Sequence, residues 1–237
     1  MSVDSLSREE LIAEKNAKSV AQLAELVKKS DYASIDDISE LIAKDDSLKS
    51  RTIRIAFGSK ADAADTPIEG ALNQLGVGII EILAMGDLLV LAVENTFELM
   101  LDRELVQLNH EKHVRSDDIR LISTIEFDGV VFGKMYLDFP SKITRMICAG
   151  LLGMDPSEVD KDLMADTLSE FVNIIAGKLQ SNISDAGLKC NLGLPLVSDT
   201  TLVSIEKIPG AKKETFAFKI YDEILWVDFL INPYANR

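Results

Sequence analysis

The sequence predicts an α+β fold in which helices pack on a largely antiparallel sheet, preceded by a small all-helical domain. Three observations carry this. Apolar residues recur at the helical period through about the first 80 positions, and no alternating stretch interrupts them. From Ile119 the pattern switches to period two around Asp128-Gly129, the strongest short hairpin signal in the chain. A long amphipathic helix from Asp160 to Ser184 is then followed by further strand-like runs, so helices and strands are grouped in a layered arrangement.

Taken in order, Ser7–Lys29 begins with a capping pair, Ser7 and Glu10, and carries Leu11, Val20, Leu23, Leu26 and Val27 on a helical pattern. A second helix fits Ser34–Ala43, with Ser34 as N-cap and Asp36 and Asp37 in the first turn, where the helix dipole favours acids. A third fits Ser47–Phe57. A fourth fits Pro67–Leu75, with Thr66 as cap, Pro67 as the first helical residue and Gly76 as the stop. Val77–Asp102 is an apolar helical run in which Gly86-Asp87 reads as a break, with Asp87 capping a new helix. This divides the chain into residues 1–85, helical, and 86–237, α+β.

Leu105–Arg115 reads as a polar loop. His110 and His113 on it have no neighbouring third ligand at a familiar metal spacing, so they are read as solvated. The hairpin follows, Pro140 ends its second strand, and Ser141 caps a helix through Leu152 that Gly153 terminates. Beyond the long helix, Leu194–Val197, Thr201–Ile208, Glu214–Tyr221 and Ile224–Ile231 read as strands. Asp199-Thr200, Pro209-Gly210 and Asp222-Glu223 read as the turns between them.

The 237-residue chain is 47% hydrophobic, enough for a sizeable core, and carries a net charge of −14. That charge argues against nucleic acid or an anionic membrane as partner, since either would repel it. No run approaches the roughly 18 apolar residues of a membrane span, and the opening Met1-Ser2-Val3-Asp4 is not that of a signal peptide, which together point to the cytoplasm. Cys148 and Cys190 sit in apolar or small-residue surroundings and read as buried thiols.

The long helix has two faces of different kind. At about 100° per residue, Met164, Leu168, Phe171, Ile175 and Leu179 form a core stripe, and Asp166, Glu170, Asn173, Gly177 and Gln180 stack on the opposite side. Asn and Gly are poor interior helix formers, Gly by roughly 1 kcal/mol relative to Ala, and here they recur one turn apart. Asn173 supplies an amide donor and acceptor, Glu170 a carboxylate, and Gly177 a bare backbone that another molecule can approach. Periodicity alone leaves two readings open, a solvated face or a functional one.

The string Asp166-x-x-x-Glu170-x-x-Asn173, continued by Ile175-Ala176-Gly177 and followed by Leu194-Pro195, resembles the signature of the CheC/CheX/FliY phosphatases of bacterial chemotaxis. The resemblance implies that Glu170 and Asn173 are catalytic, inserted into the active site of a phosphorylated receiver domain where the Asn orients the attacking water. It implies Asp166 and Gly177 at the partner contact, a CheY-like response regulator as substrate, no metal or cofactor of the chain's own with Mg2+ on the receiver, and a homodimer of the CheX kind. In CheC-like relatives the motif also occurs on an earlier helix. Here that helix reads Glu94-Asn95-Thr96-Phe97, with Phe in place of Asn, so a single site remains. The apolar strand Ile224-Leu225-Trp226-Val227 also suggests a dimer, if it lies at a sheet edge in need of cover.

A second resemblance covers part of the helical segment. Ile35-Asp36-Asp37-Ile38, Asp45-Asp46, Ile53-Arg54-Ile55-Ala56 and Ile68-Glu69-x-Ala71 are similar to the opening helices of the HDOD signalling domain, which implies a non-catalytic docking or packing unit. Two functions of different class follow: an aspartyl-phosphate phosphatase, or a non-catalytic adaptor that binds a receiver or flagellar partner. The first is chemically economical. A receiver brings its own metal and acidic pocket, and a loose phosphoryl-transfer transition state asks a partner chiefly to position water.

Overall fold

The structure, a computed structural model, describes Glu25 and residues 34–58, 61, 65–76, 78–116, 119–129, 132–185, 190–200 and 208–232. The helix expected over Ser7–Lys29 lies outside the described residues except for Glu25, which is helical, as does the strand expected over Thr201–Ile208 except for Ile208.

The first helices form where their caps place them. Helix α1 (Ile35–Ala43) starts at Ser34, whose hydroxyl accepts from the Asp37 amide while the Asp37 carboxylate accepts from the Ser34 amide. Those hydrogen bonds hold the Asp37 carboxyl below its usual range. Helix α2 (Asp46–Phe57) is capped by Asp45, which accepts from the amides of Ser47 and Leu48 at 2.8 and 3.0 Å. Helix α3 (Ile68–Leu75) begins one residue later than expected: Pro67 occupies the cap position in extended conformation and no side chain caps the helix. Gly76 ends it at φ 65°, in the left-handed region that glycine enters without strain.

Helix α4 (Ile79–Leu101) corrects the reading of Gly86-Asp87 as a break, for it runs through both residues without interruption. The glycine is there because nothing larger fits: a Cβ would fall onto the Glu214 carboxylate and within 2.8 Å of the Arg51 guanidinium. Asp87 accepts from Arg51 Nη1 at 2.6 Å instead of capping a helix. Arg51 thereby joins three elements, since its Nε donates to Glu214 Oε1 at 2.8 Å and its Nη2 to the Leu83 carbonyl at 2.8 Å. Helix α4 is apolar on most sides because most of its sides are buried. Among the described residues no single helix is long and apolar enough to cross a membrane.

Among the described residues the sheet has seven strands, all antiparallel: β1 (Val106–Leu108), β2 (Arg120–Gly129), β3 (Phe132–Pro140), β4 (Cys190–Leu192), β5 (Leu196–Thr200), β6 (Lys212–Ile220) and β7 (Glu223–Asn232). Their order is β1-β6-β7-β3-β2-β4, with β5 also on β2. Strands β4 and β5 lie end to end along one edge of β2: Phe127 to Gly129 face β4, and Arg120 to Thr124 face β5. Strand β1 emerges from the segment read as a loop, which also holds His110 in a 3-10 turn over residues 110–112. Asp199-Thr200 is paired with Leu121 and Arg120 rather than turning, Asp128-Gly129 is paired with β4, and the last turn is Tyr221-Asp222 because Glu223 already pairs with Ile220. Strand β7 is interior, between β6 and β3, so its apolar sequence needs no dimer partner to cover it.

Side chains alternate across the sheet. Met135, Leu137 and Phe139 of β3 and Leu225, Val227, Phe229 and Ile231 of β7 join the main core with the helices. That core includes helix α5 (Ser141–Leu152), whose first residue follows Pro140 at the cap position, with no side-chain cap from Ser141, and helix α6 (Lys161–Asp185). The opposite face buries Asp138 and Asp228 completely. Arg115 binds both of them, Arg120 binds Asp138, and Lys213 and Thr215 reach Asp228 at 2.9 and 2.8 Å.

Two outcomes test this arrangement. Replacing Glu214 by Ala strands the largely buried Arg51 and should cost about 3–5 kcal/mol, whereas Asp87→Ala, at the exposed end of the same cluster, should cost less than about 1 kcal/mol. Urea denaturation of both variants measures the difference, and equal losses would show that the cluster is not organised around a buried pair.

Candidate functional site

Helix α6 is set going by Asp160, whose carboxylate accepts from the Leu163 amide at 2.8 Å and whose carbonyl accepts from the Met164 amide. Its inward side is Met164, Leu168, Phe171, Val172, Ile175, Ala176, Leu179 and Ile183, all buried. The five core positions expected from periodicity are among them, joined by Val172 and Ala176, which widen the apolar stripe, and by Ile183, which extends it. Phe171 fixes the rotation of the helix. Its ring meets Phe97 of α4 edge-on at 4.9 Å and Phe139 of β3 at 6.4 Å.

With Phe171 inward, the other stripe turns to the surface. Asp166, Glu170 and Gly177 are exposed and Asn173 is half-buried. Among the described residues Asp166, Glu170 and Asn173 have no hydrogen-bond or ion-pair partner. A Cβ at Gly177 would meet nothing within 4 Å, so the backbone there is open to approach. The structure thus brings four of the five stripe residues together on an open helical surface. It places Gln180 otherwise: its Nε2 donates to the Cys190 carbonyl at 2.6 Å, so the amide anchors β4 to the helix.

A carboxylate and a neutral amide three residues apart on an exposed helix project the same way. The amide can accept from a water while donating to an anionic oxygen, and it brings no charge to repel a phosphate. His110 and His113 lie on the segment around β1, away from this helix in the chain. Cys148 and Cys190 are free and buried, and burial pushes both thiols above their usual range, which makes them poor nucleophiles. Periodicity could not reveal the anchoring role of Gln180, which rests on a three-residue strand, nor the exposure of Leu194 and Leu196 just beyond that strand, at 84% and 72%.

Residues 121–219, which contain the whole stripe, match the family model of the chemotaxis phosphatase CheX. Among solved structures, the fold is similar to the chemotaxis protein CheX from Vibrio vulnificus, with 15% identity and a TM-score of 0.55 over 62% of this chain and 96% of that one. A CheC-like superfamily protein from Shewanella sp. PV-4 gives 17% identity and a TM-score of 0.54, covering 62% and 97%. The CheX of Desulfovibrio desulfuricans gives 16% and 0.52, covering 62% and 98%. No curated protein matches the chain. The α+β part is therefore CheX-like in fold and in sequence pattern.

The absence of partners for the stripe has a measurable counterpart. Glu170→Ala, at an exposed position, should shift unfolding free energy by less than about 0.5 kcal/mol, and Asn173→Ala, half-buried but without a partner among the described residues, by less than about 1 kcal/mol. Gln180→Ala, which frees a backbone carbonyl, should cost about 1 kcal/mol. Thermal melts of the three variants give the comparison, and a large loss for Asn173→Ala would mean that its amide belongs to the fold.

Proposed function

Starting from a domain of the CheX type, we propose that the chain is a phosphatase for the aspartyl-phosphate of a CheY-like response regulator. The observation that supports it above the others is the pair Glu170 and Asn173, one turn apart on an exposed helix face, without partners among the described residues and inside the stretch that matches the CheX family model. Asn173 positions water in line with the phosphoryl group. Glu170 pairs with a cation of the receiver and fixes the register of the two proteins. Asp166 and Gly177 flank the contact, Gly177 admitting close approach of the partner backbone. The receiver supplies Mg2+ and the acidic pocket, so the helix contributes orientation and the exclusion of wrong geometries.

In this reading the HDOD-like helices are a packing unit, and Arg51 is the residue through which α2 holds β6 and α4. A homodimer also belongs to it, on the resemblance alone. Light scattering that returned a 26.1 kDa species at micromolar concentration would remove the dimer and leave the catalytic reading intact.

The catalytic reading is tested by phosphate release from an acetyl-phosphate-charged receiver. Asn173→Ala should abolish the acceleration while leaving binding in place. Glu170→Ala should mainly weaken the complex, by about 2–5 kcal/mol for loss of a desolvated charged contact. Equal release by wild-type and Asn173→Ala protein, with binding demonstrated for both, would make the stripe a docking face and the chain an adaptor.

A further inference from the structure

The 39 acidic residues of this chain outnumber its 25 Lys and Arg, yet one cleft has the opposite balance. It opens between α2 and the β1/β6 edge of the sheet, has a volume of about 750 Å3, and is lined by Arg51, Arg54, Arg115, Lys212 and Lys213, with Glu214 the one acidic residue among its described walls. A space of that size falls within the roughly 300–1,000 Å3 usual for small-molecule sites.

The cations are held in place from behind. Glu214 grips Arg51 through two nitrogens, and Asp138 and Asp228 grip Arg115, with Asp228 also holding Lys213. Asp138 and Asp228 lie fully buried behind Arg115 and Lys213, whereas Glu214 is itself part of the wall and, with Asp87, neutralises Arg51. Side chains oriented in this way are preorganised for an anion, because little ordering remains to be done on binding. A second observation concerns the backbone. Strand β1 pairs with β6 only from Ala217 to Lys219, so among the described residues Lys212 to Phe216 have no strand on that side. Ser47 and Ser50 of α2 add hydroxyls from the opposite wall.

We propose that this cleft binds a small anion carrying a di- or triphosphate, with Arg54 and Lys212 making the direct contacts and Arg115 and Lys213, which together with Arg120 outnumber the two aspartates behind them, supplying the field. A phosphate chain matches a wall of several cations and hydroxyls better than a single carboxylate does. Such a chain could be inorganic or belong to a nucleotide.

Calorimetry on the full chain at low salt, with pyrophosphate and with ATP as separate probes, tests the site. The expected result is saturable binding at one site per chain, weakened at least about tenfold in Arg54→Gln/Lys212→Gln, as loss of hydrogen bonds to charged groups implies. It should be unchanged in Lys142→Gln, which removes a cation outside the cleft. Equal affinity for the two probes would assign recognition to the phosphate chain, and tighter ATP binding would assign part of it to the nucleoside. Should the double variant melt early, Lys212→Gln alone carries the comparison. Absence of saturable binding by either probe, or an equal loss in Lys142→Gln, overturns the proposal.

Discussion

The rings of Phe97, Phe139 and Phe171 come from a helix, a strand and a second helix, and their contact sets the rotational phase of α6. Each residue along a helix advances about 100°. Once Phe171 is turned into the core, Glu170 lies on one flank and Asn173 swings to the outer side. A rotation that buried Glu170 would place an unpaired carboxylate among Met164, Leu168 and Ile175, at a cost of several kcal/mol. The polar stripe is therefore a consequence of core packing, and its geometry is as well determined as the core that excludes it.

The sheet divides two kinds of interior. On the helix side the contacts are almost wholly apolar, and on the other side two fully buried aspartates are held by arginine and lysine. Desolvating such groups is expensive, and only several hydrogen bonds per carboxylate offset it. Arg115 also lies over the Trp226 ring at 5.1 Å, which adds a further attraction on the same face. The Arg51 cluster does the equivalent at the junction of α2, α4 and β6.

Much of this could be read directly from residue order. The caps of α1, the stop at Gly76, the core stripe of α6 and the grouping of strands after it all follow from signals within a few residues of where they act. The failures share a cause of the opposite kind. Gly86-Asp87 looks like punctuation because local propensity knows nothing of Glu214, which is 128 positions away in the chain and is the reason no side chain fits. Strands β1 and β4 are three residues long, too short to show a period, and exist because β6 and β2 offer them an edge. Asp138 and Asp228 are buried polar members of β3 and β7, and their burial depends on Arg115 and Arg120, which no local pattern indicates. The polar stripe is legible as a pattern, and its freedom from partners among the described residues is not, since a sequence does not say which polar side chains the fold has already engaged. Gln180 shows this, for it belongs to the stripe by spacing and to β4 by hydrogen bonding.

That engagement has a consequence for how long any visitor stays. With Gln180 tied down, the open part of the helix runs from Asp166 to Gly177, about 16 Å at 1.5 Å per residue. A partner gripped along that length alone covers far less than the roughly 800 Å2 per side of a stable complex. A partner that stays must therefore draw on surface beyond the stripe.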